Sequence, residues 1–240
     1  MNKLRILVIF VYIVNLRVLG IFDDSISFKG LLYSNFILMP QHNIPFFVQL
    51  RYIPQMDYNI FFKGINFDIE ASLNVTGNYQ LRKIDTFKSF WNLSPYRLWG
   101  RLYGKNFEIR IGLQEINFGS ATILRPLQWF DQIDPADPLR FTGGVYGLLV
   151  RYYFKNNSNL WLWCLSYNDE IRGYDPGITS NNTSEFGGRI QWPIYNGEIA
   201  LTYHHRYISK FSFPEISYDF NKIPENRFGI DMKVDIGVGL

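Results

Sequence analysis

The sequence predicts an all-β protein, an antiparallel up-and-down transmembrane β-barrel of about ten strands. Residues 226–240 alternate without interruption between apolar residues and polar or glycine residues, and residues 65–75 do the same. Successive side chains of a strand point to opposite faces, so each segment is predicted to be a strand with one apolar face. Both segments reach the roughly 9–11 residues that a tilted strand needs to cross a bilayer.

The spacing of the connections is the other observation that favours a barrel. The predicted strands cover residues 28–38, 46–53, 60–75, 97–104, 107–118, 145–154, 159–168, 185–194, 197–208 and 226–240. Short connections follow three of the later strands, at residues 104–106, 155–159 and 195–197. Long polar stretches are predicted to be loops at residues 76–96, 119–144, 169–184 and 209–225. Outer-membrane barrels have short periplasmic turns and long extracellular loops, so this alternation is typical of them.

The N-terminus has the three parts of a secretory signal peptide. Lys3 and Arg5 precede the apolar run 6–14, and small residues permit cleavage after Gly20. A transmembrane anchor is the alternative, but it needs about 20 apolar residues. Residues 21–240 are then predicted to be one exported barrel domain. Cleavage removes three of the 24 basic residues, which leaves as many basic as acidic residues (21) and gives no reason to expect a nucleic-acid partner.

Charged residues fall on one face of the predicted strands. A charge on the lipid-facing side costs up to about 2–4 kcal/mol near the bilayer midplane, so this face is predicted to line the lumen. The predicted pore-lining residues are Arg97, Arg101, Glu108, Arg110, Arg151, Arg189, Gln191, Arg227, Asp231, Lys233 and Asp235. In strand 159–168, the outer face is predicted to hold Trp161, Trp163, Leu165 and Tyr167, while Tyr203, His205 and Tyr207 are assigned to an interfacial aromatic belt.

The segment 97–154 resembles the porin-like outer-membrane barrels of Gram-negative bacteria. Their strands carry an Arg-x-Gly-Arg-Gln-x-x-x-Trp-Gly run and then a loop rich in Asp-Pro. The positions that match are Arg110, Gly112, Gln114, Gly119, Asp134-Pro135 and Asp137-Pro138-Leu139-Arg140. Leu113 stands where the family has Arg, and Phe118 stands where it has Trp.

The resemblance implies that loop 119–144 folds inward and narrows the pore. Its polar contacts would be Arg125, Asp131, Asp134, Asp137 and Arg140. The alternative is a surface loop in which prolines only shape the turns. Members of the family are generally longer, and the alternation runs to Leu240 without a terminal aromatic. We therefore expect either closure of the last strand on strand 28–38 or, as the resemblance favours, a barrel truncated at its C-terminus.

These features predict an outer-membrane porin-like channel for passive diffusion of small polar solutes, in contact with outer-membrane lipid. No cofactor, metal or enzymatic activity is predicted, and the pattern leaves the oligomeric state open. One alternative is an outer-membrane lipid hydrolase that uses His205 with Ser209 or Ser212 on the outer face. Another is a soluble exported β-sandwich that binds carbohydrate through Trp91, Trp99 and Trp129.

Overall fold

A computed structural model describes residues 6–19, 25–38, 46–81, 87–119, 127–133, 139, 141–172, 175–212 and 217–235. Only the backbone is described for residues 6–19, 25 and 212. Every regular element in these ranges is a β-strand, which confirms the all-β class. No helix in the described ranges is long and apolar enough to cross a bilayer.

Fourteen strands are described. The N-terminal strands are β1 (Ile6–Leu19), β2 (Ser25–Leu38), β3 (Phe46–Phe62), β4 (Ile65–Leu81), β5 (Phe87–Tyr103) and β6 (Phe107–Gln114). The remaining strands are β7 (Gln132–Ile133), β8 (Thr142–Gly143), β9 (Val145–Tyr153), β10 (Asn159–Leu165), β11 (Gly177–Thr179), β12 (Glu185–Ile194), β13 (Gly197–Ser212) and β14 (Ser217–Val234). Strands β7 and β8 pair with each other in a separate two-stranded sheet.

The other twelve strands belong to one sheet whose order is β1-β2-β3-β4-β5-β6-β9-β10-β12-β13. Both β14 and the short strand β11 also pair with β13. All the registers described are antiparallel, as expected for an up-and-down sheet. Closure of the last strand on strand 28–38, one of the two expected outcomes, is not found among the described residues, because the sheet is not closed into a barrel.

The chain divides into two compact units. The first consists of Met1–Phe61 and Asp68–Leu98, and the second of Phe62–Phe67 and Trp99–Leu240. In the first unit, β2 pairs with β1 along one edge and with β3 along the other. Strand β1 covers the predicted signal peptide, so cleavage after Gly20 would leave that edge of β2 without its partner.

The second unit contains the strands from the end of β5 onward. The predicted tight connections are confirmed: β5 joins β6, β9 joins β10, and β12 joins β13 through short turns at one end of the unit. Asn157 and Asn196 adopt positive φ angles of 62° and 58° in two of these turns. Asparagine tolerates this left-handed conformation better than most residues, which explains its presence there.

Several predicted boundaries are wrong, and three of the differences are large. The single strand predicted at 60–75 is two strands, because a turn at Lys63-Gly64 reverses the chain and Gly64 adopts a φ of 83°. The predicted loop 76–96 contains the end of β4 and most of β5, and the predicted loop 209–225 contains the end of β13 and half of β14. Among their described residues, the segments 115–144 and 166–184 contain only the short strands β7, β8 and β11, which are two or three residues long.

Candidate functional site

Strands β12, β13 and β14 separate charged from apolar residues by alternation. One face, here called the inner face, carries buried polar groups on β13: Thr202, His204 and Arg206. The opposite, outer face carries exposed apolar groups on β14, where Phe228 is 78% exposed and Ile230 is 72% exposed. The polar side chains are therefore the buried ones in this part of the sheet, which reverses the usual arrangement of a soluble protein.

The most buried charged group of the inner face surrounds Glu185 on β12. Arg172 donates two hydrogen bonds to the Glu185 carboxylate, one of them over 2.7 Å to Oε2. Thr179 Oγ1 donates a third over 3.3 Å. Arg172 and Glu185 are almost completely inaccessible to solvent, so this bidentate pair compensates two charges that water does not reach.

His204 extends this group across to β10. Its Nδ1 accepts a hydrogen bond from the Trp163 indole N–H over 3.2 Å, and its Nε2 lies 3.1 Å from Oε2 of Glu185. An indole N–H can only donate, so Nδ1 must be unprotonated. A neutral His204 with its proton on Nε2 satisfies both contacts, because Nε2–H then donates to the carboxylate.

A second ion-paired group lies next to it. Arg206 and Arg227 both contact Oδ2 of Asp175 at 2.8 Å, and both also contact Glu225. Asp175 precedes β11, so these ion pairs attach that connection to β13 and β14. Two positive and two negative charges make the group neutral.

Arg189 and Asp231 connect β12 with β14 across β13. Arg189 Nη2 contacts Asp231 Oδ1 at 3.0 Å while Nη1 contacts Oδ2, and Nη1 also donates to Thr202 Oγ1 over 2.9 Å. The Arg189 guanidinium lies 5.4 Å from the centre of the Phe118 ring. The planar guanidinium of Arg189 therefore pairs with the carboxylate of Asp231 and also lies near the aromatic ring of Phe118.

Glu108 on β6 is the centre of a further charged group. Its Oε1 contacts Arg110 at 2.9 Å and Arg151 at 3.5 Å, and its Oε2 accepts from the Tyr153 hydroxyl over 3.4 Å. The guanidinium of Arg151 lies 3.9 Å from the centre of the Trp161 ring. Arg110 lies 4.6 Å from the centre of the Trp99 ring. These two arginines therefore combine one shared carboxylate with cation–π contacts.

The connection between β6 and β9 covers part of the inner face with aromatic side chains. Phe118 stacks on Trp163 with ring centroids 5.6 Å apart, and Phe130 meets Trp163 edge-on at 5.5 Å. Trp129 and Phe130 also lie against the His204 ring, at 6.1 and 5.0 Å. These buried residues form one hydrophobic cluster together with Val145, Leu149 and Leu165.

This arrangement corrects the predicted face of β10. Trp163 and Leu165 were predicted on the outer face, but both are buried in the aromatic cluster, and Leu162 is half exposed on the opposite face. The sequence of β10 is apolar on both parities, so alternation gave no sign of which side another segment covers. The aromatic residues of the covering segment pack on Trp163 and Leu165, and they determine which face of β10 is buried.

The predicted constriction residues are only partly described. Asp131 is buried, with 4% of its surface exposed, while Arg125, Asp134, Asp137 and Arg140 lie outside the described residues. In the described part of segment 115–144, the aromatic side chains of Phe118, Trp129 and Phe130 contact the inner face.

The predicted pore-lining residues occupy five environments. Arg110, Arg151, Glu108, Arg189, Asp231 and Arg227 belong to the charged groups of the inner face. Gln191 is paired with Glu198, and Arg101 lies over the Trp99 and Tyr103 rings. Arg97 belongs to the first unit, where it donates to the Tyr96 carbonyl over 2.7 Å. Lys233 and Asp235 are exposed.

Four residues of these groups were not predicted from the sequence: Glu185, His204, Arg172 and Asp175. Glu185 has the parity of the predicted lining residues Arg189 and Gln191 on β12, and His204 has the parity opposite to that of the predicted belt residues on β13, so alternation was a usable signal for both. Arg172 and Asp175 lie in the connection between β10 and β12, where no periodicity indicates direction.

The residues of the two alternative functions are also placed. His205 lies on the outer face, where its Nδ1 is 2.9 Å from Oδ1 of Asn226, and Asn226 also accepts from the Tyr203 hydroxyl. The residues of like parity next to His205 are Tyr203 and Tyr207, so neither neighbour offers a serine hydroxyl. Trp129 is buried, which removes it as a platform for a sugar ring. Trp91 packs edge-on against Tyr79 in the first unit.

No protein-family model, no curated protein and no solved structure matches this chain. The fold and the site therefore define its class: an all-β protein with an antiparallel sheet that is charged on one face and apolar on the other.

Proposed function

We propose that this chain is an outer-membrane β-sheet protein of the porin type, in which small polar solutes diffuse passively along the charged inner face. The observation that carries the proposal is the inverted distribution of side chains in the second unit. Charged groups are buried on the inner face, and large apolar groups are exposed on the outer face.

The outer face supports a location in lipid. It exposes Ile111, Tyr146, Leu148, Tyr152, Leu162, Phe186, Trp192, Leu201, Tyr207, Phe228, Ile230, Met232 and Val234. A soluble monomer rarely exposes a large contiguous apolar surface, whereas hydrocarbon solvates one without cost. The exposed indole of Trp192 and phenol of Tyr207 also suit the interface between lipid and water.

The inner face supports passage of polar solutes without strong charge selection. Its arginines contact carboxylates within the same groups, two of them sharing Glu108, so fixed charges of both signs lie close together. The segment that contains Phe118, Trp129 and Phe130 covers part of this face and would narrow the path. Selectivity would then depend mainly on solute size and on hydrogen bonding to the charged groups.

Single-channel conductance in a planar bilayer tests the pore. The refolded protein should conduct small ions with weak selectivity, and Trp129→Ala should raise the conductance because it removes a large ring from the covering segment. Trp192→Ala removes an equal ring from the outer face and should leave the conductance unchanged. A correctly folded, inserted protein that never conducts would refute the pore.

Flotation with liposomes separates the membrane location from the pore. Protein that floats and resists extraction at alkaline pH is embedded in the bilayer, whether or not it conducts. Folded protein that remains in the aqueous fraction would refute the membrane location and leave the exported β-sandwich as the better interpretation.

The hydrolase remains a second candidate because of the contact between His205 and Asn226 on the outer face. A polar partner that orients a histidine is one element of a nucleophilic site. We expect no phospholipid release, because the like-parity neighbours of His205 are tyrosines. Release that is measurable and that disappears in His205→Ala, but not in His204→Gln, would establish the enzyme instead.

A further inference from the structure

The free edge of β14 is the feature that points to a partner. In the described part of the chain β14 pairs with β13 alone, although it is eighteen residues long. A long edge strand presents a row of backbone donors and acceptors that favours pairing with another strand. In hydrocarbon the requirement is stronger, because no water is there to satisfy them.

The backbone groups that face this edge can be assigned. The Asp235 N–H donates to the Asn196 carbonyl over 2.8 Å, which is on the side of β13. Backbone groups of an antiparallel strand alternate between its two sides. Odd-numbered residues therefore bond toward β13, and even-numbered residues such as Phe228 and Ile230 direct their N–H and C=O toward the free edge.

The inner-face residues at equal distances on either side of Gly229 carry opposite charges. Two positions before Gly229 is Arg227 and two positions after it is Asp231; four before is Glu225 and four after is Lys233. If a second copy pairs antiparallel with Gly229 opposite Gly229, Arg227 faces Asp231 and Glu225 faces Lys233. By symmetry each pair occurs twice, so four positions on each chain meet an opposite charge.

We propose that β14 pairs edge to edge with β14 of a second copy, in an antiparallel register centred on Gly229. Phe228 of each copy then forms a backbone hydrogen-bonded pair with Ile230 of the other copy. This pairing also brings the apolar side chains of the two residues together on the outer face. The charged pairs fall at non-hydrogen-bonded positions, where side chains lie closest. Opposite charges at such positions are favourable and like charges are unfavourable.

Neighbouring registers lack this complementarity. A register centred on Phe228 places Glu225 opposite Asp231, and one centred on Ile230 places Arg227 opposite Lys233. Pro224 lies at an edge-facing position and has no N–H, so it interrupts the pairing on that side of the interface. Charge and hydrogen bonding thus select one register over a short segment.

Disulfide cross-linking reads the register directly. In a Cys164→Ala background, Phe228→Cys and Ile230→Cys chains are mixed in detergent micelles and oxidised. Paired residues of this kind lie about 5.5 Å apart between Cα atoms, within the range that a disulfide spans. We expect dimers from the mixture and few from either variant alone. Dimers from Phe228→Cys alone, or from Ile230→Cys alone, would refute the register, and a folded monomer without cross-links would refute the interface.

A charge variant tests the basis of the pairing. Lys233→Glu places like charges opposite Glu225 twice and should weaken the dimer about tenfold. Lys210→Glu on β13 is the matched control and should leave the dimer unchanged. Equal dimerisation of both variants would refute the role of charge. The inference rests on the proposed membrane location for its strongest driving force, but cross-linking reports the interface whether or not the protein conducts.

Discussion

The indole N–H of Trp163 donates to Nδ1 of His204, and this one contact sets the protonation of the buried group around Glu185. Because Nδ1 must accept, the ring is neutral and its Nε2–H serves Glu185. Glu185 is then left with a single full positive partner, the guanidinium of Arg172. Because Trp163 keeps His204 neutral, Glu185 forms an ion pair with Arg172 alone and does not contact a second positive charge.

Replacing Glu185 with Gln should destabilise the protein strongly. The amide keeps the size of the side chain but leaves the buried Arg172 guanidinium without a compensating charge, which costs about 3–5 kcal/mol. Glu198→Gln, on the half-buried partner of Gln191, should cost no more than about 1 kcal/mol. Urea unfolding in detergent measures both. The double variant Arg172→Met with Glu185→Gln should recover part of the loss, and a loss that stays the same would contradict the explanation.

Trp163→Phe should cost about 1–3 kcal/mol, because it removes the donor from a buried acceptor, Nδ1 of His204. The control is Trp161→Phe, which keeps a ring beneath Arg151 and should cost less than about 1 kcal/mol. The free energy of unfolding of the two variants decides whether the hydrogen bond or the ring volume accounts for the loss. Equal losses would mean that ring volume, and not the hydrogen bond, accounts for the effect.

Gly229→Val should displace the covering segment from the inner face. A Cβ at this position would lie 2.5 Å from Cδ2 of Leu127 and 3.3 Å from the Trp129 ring. Overpacking of this kind costs about 1–3 kcal/mol. Adding Leu127→Ala should relieve most of the cost. The fluorescence of Trp129 should shift to longer wavelength in the single variant and return in the double variant. An unshifted spectrum in both variants would contradict the close packing.

The exported protein should begin at Ile21. Cleavage after Gly20 follows from the apolar run and small residues of the leader. N-terminal sequencing or intact-mass measurement of protein recovered from cell envelopes tests this. A mature protein that still contains residues 6–19 would show that β1 is part of the native sheet.

Alternation predicted the central strands well. Residues 185–194 were predicted and observed as β12, and β13 begins at the predicted Gly197. Charged and apolar residues lie on opposite parities in β12, and in β13 apart from Ala200 and Ile208, so the period of two determines both the element and its face. The same alternation predicted that most of the charged residues around Arg189 and Glu108 share one face of the sheet.

The sequence failed where one face is covered by a distant segment. Trp163 was placed on the wrong face because its neighbours of either parity are apolar, and only Phe118 and Phe130 determine the side that is buried. The turn at Gly64 was missed because a single glycine interrupts an otherwise continuous pattern. Arg172 and Asp175 lie in a connection, and side-chain direction there depends on tertiary contacts.

The ion pairs of the inner face have a consequence for how this sequence can vary. Asp175, Glu225, Arg206 and Arg227 form one neutral set held by shared oxygen atoms. Changing any one of them gives this partly buried set a net charge, while changing a matched pair keeps the set neutral. We therefore expect substitutions on this face to be inherited in compensating pairs, whereas apolar residues on the outer face can be exchanged one at a time.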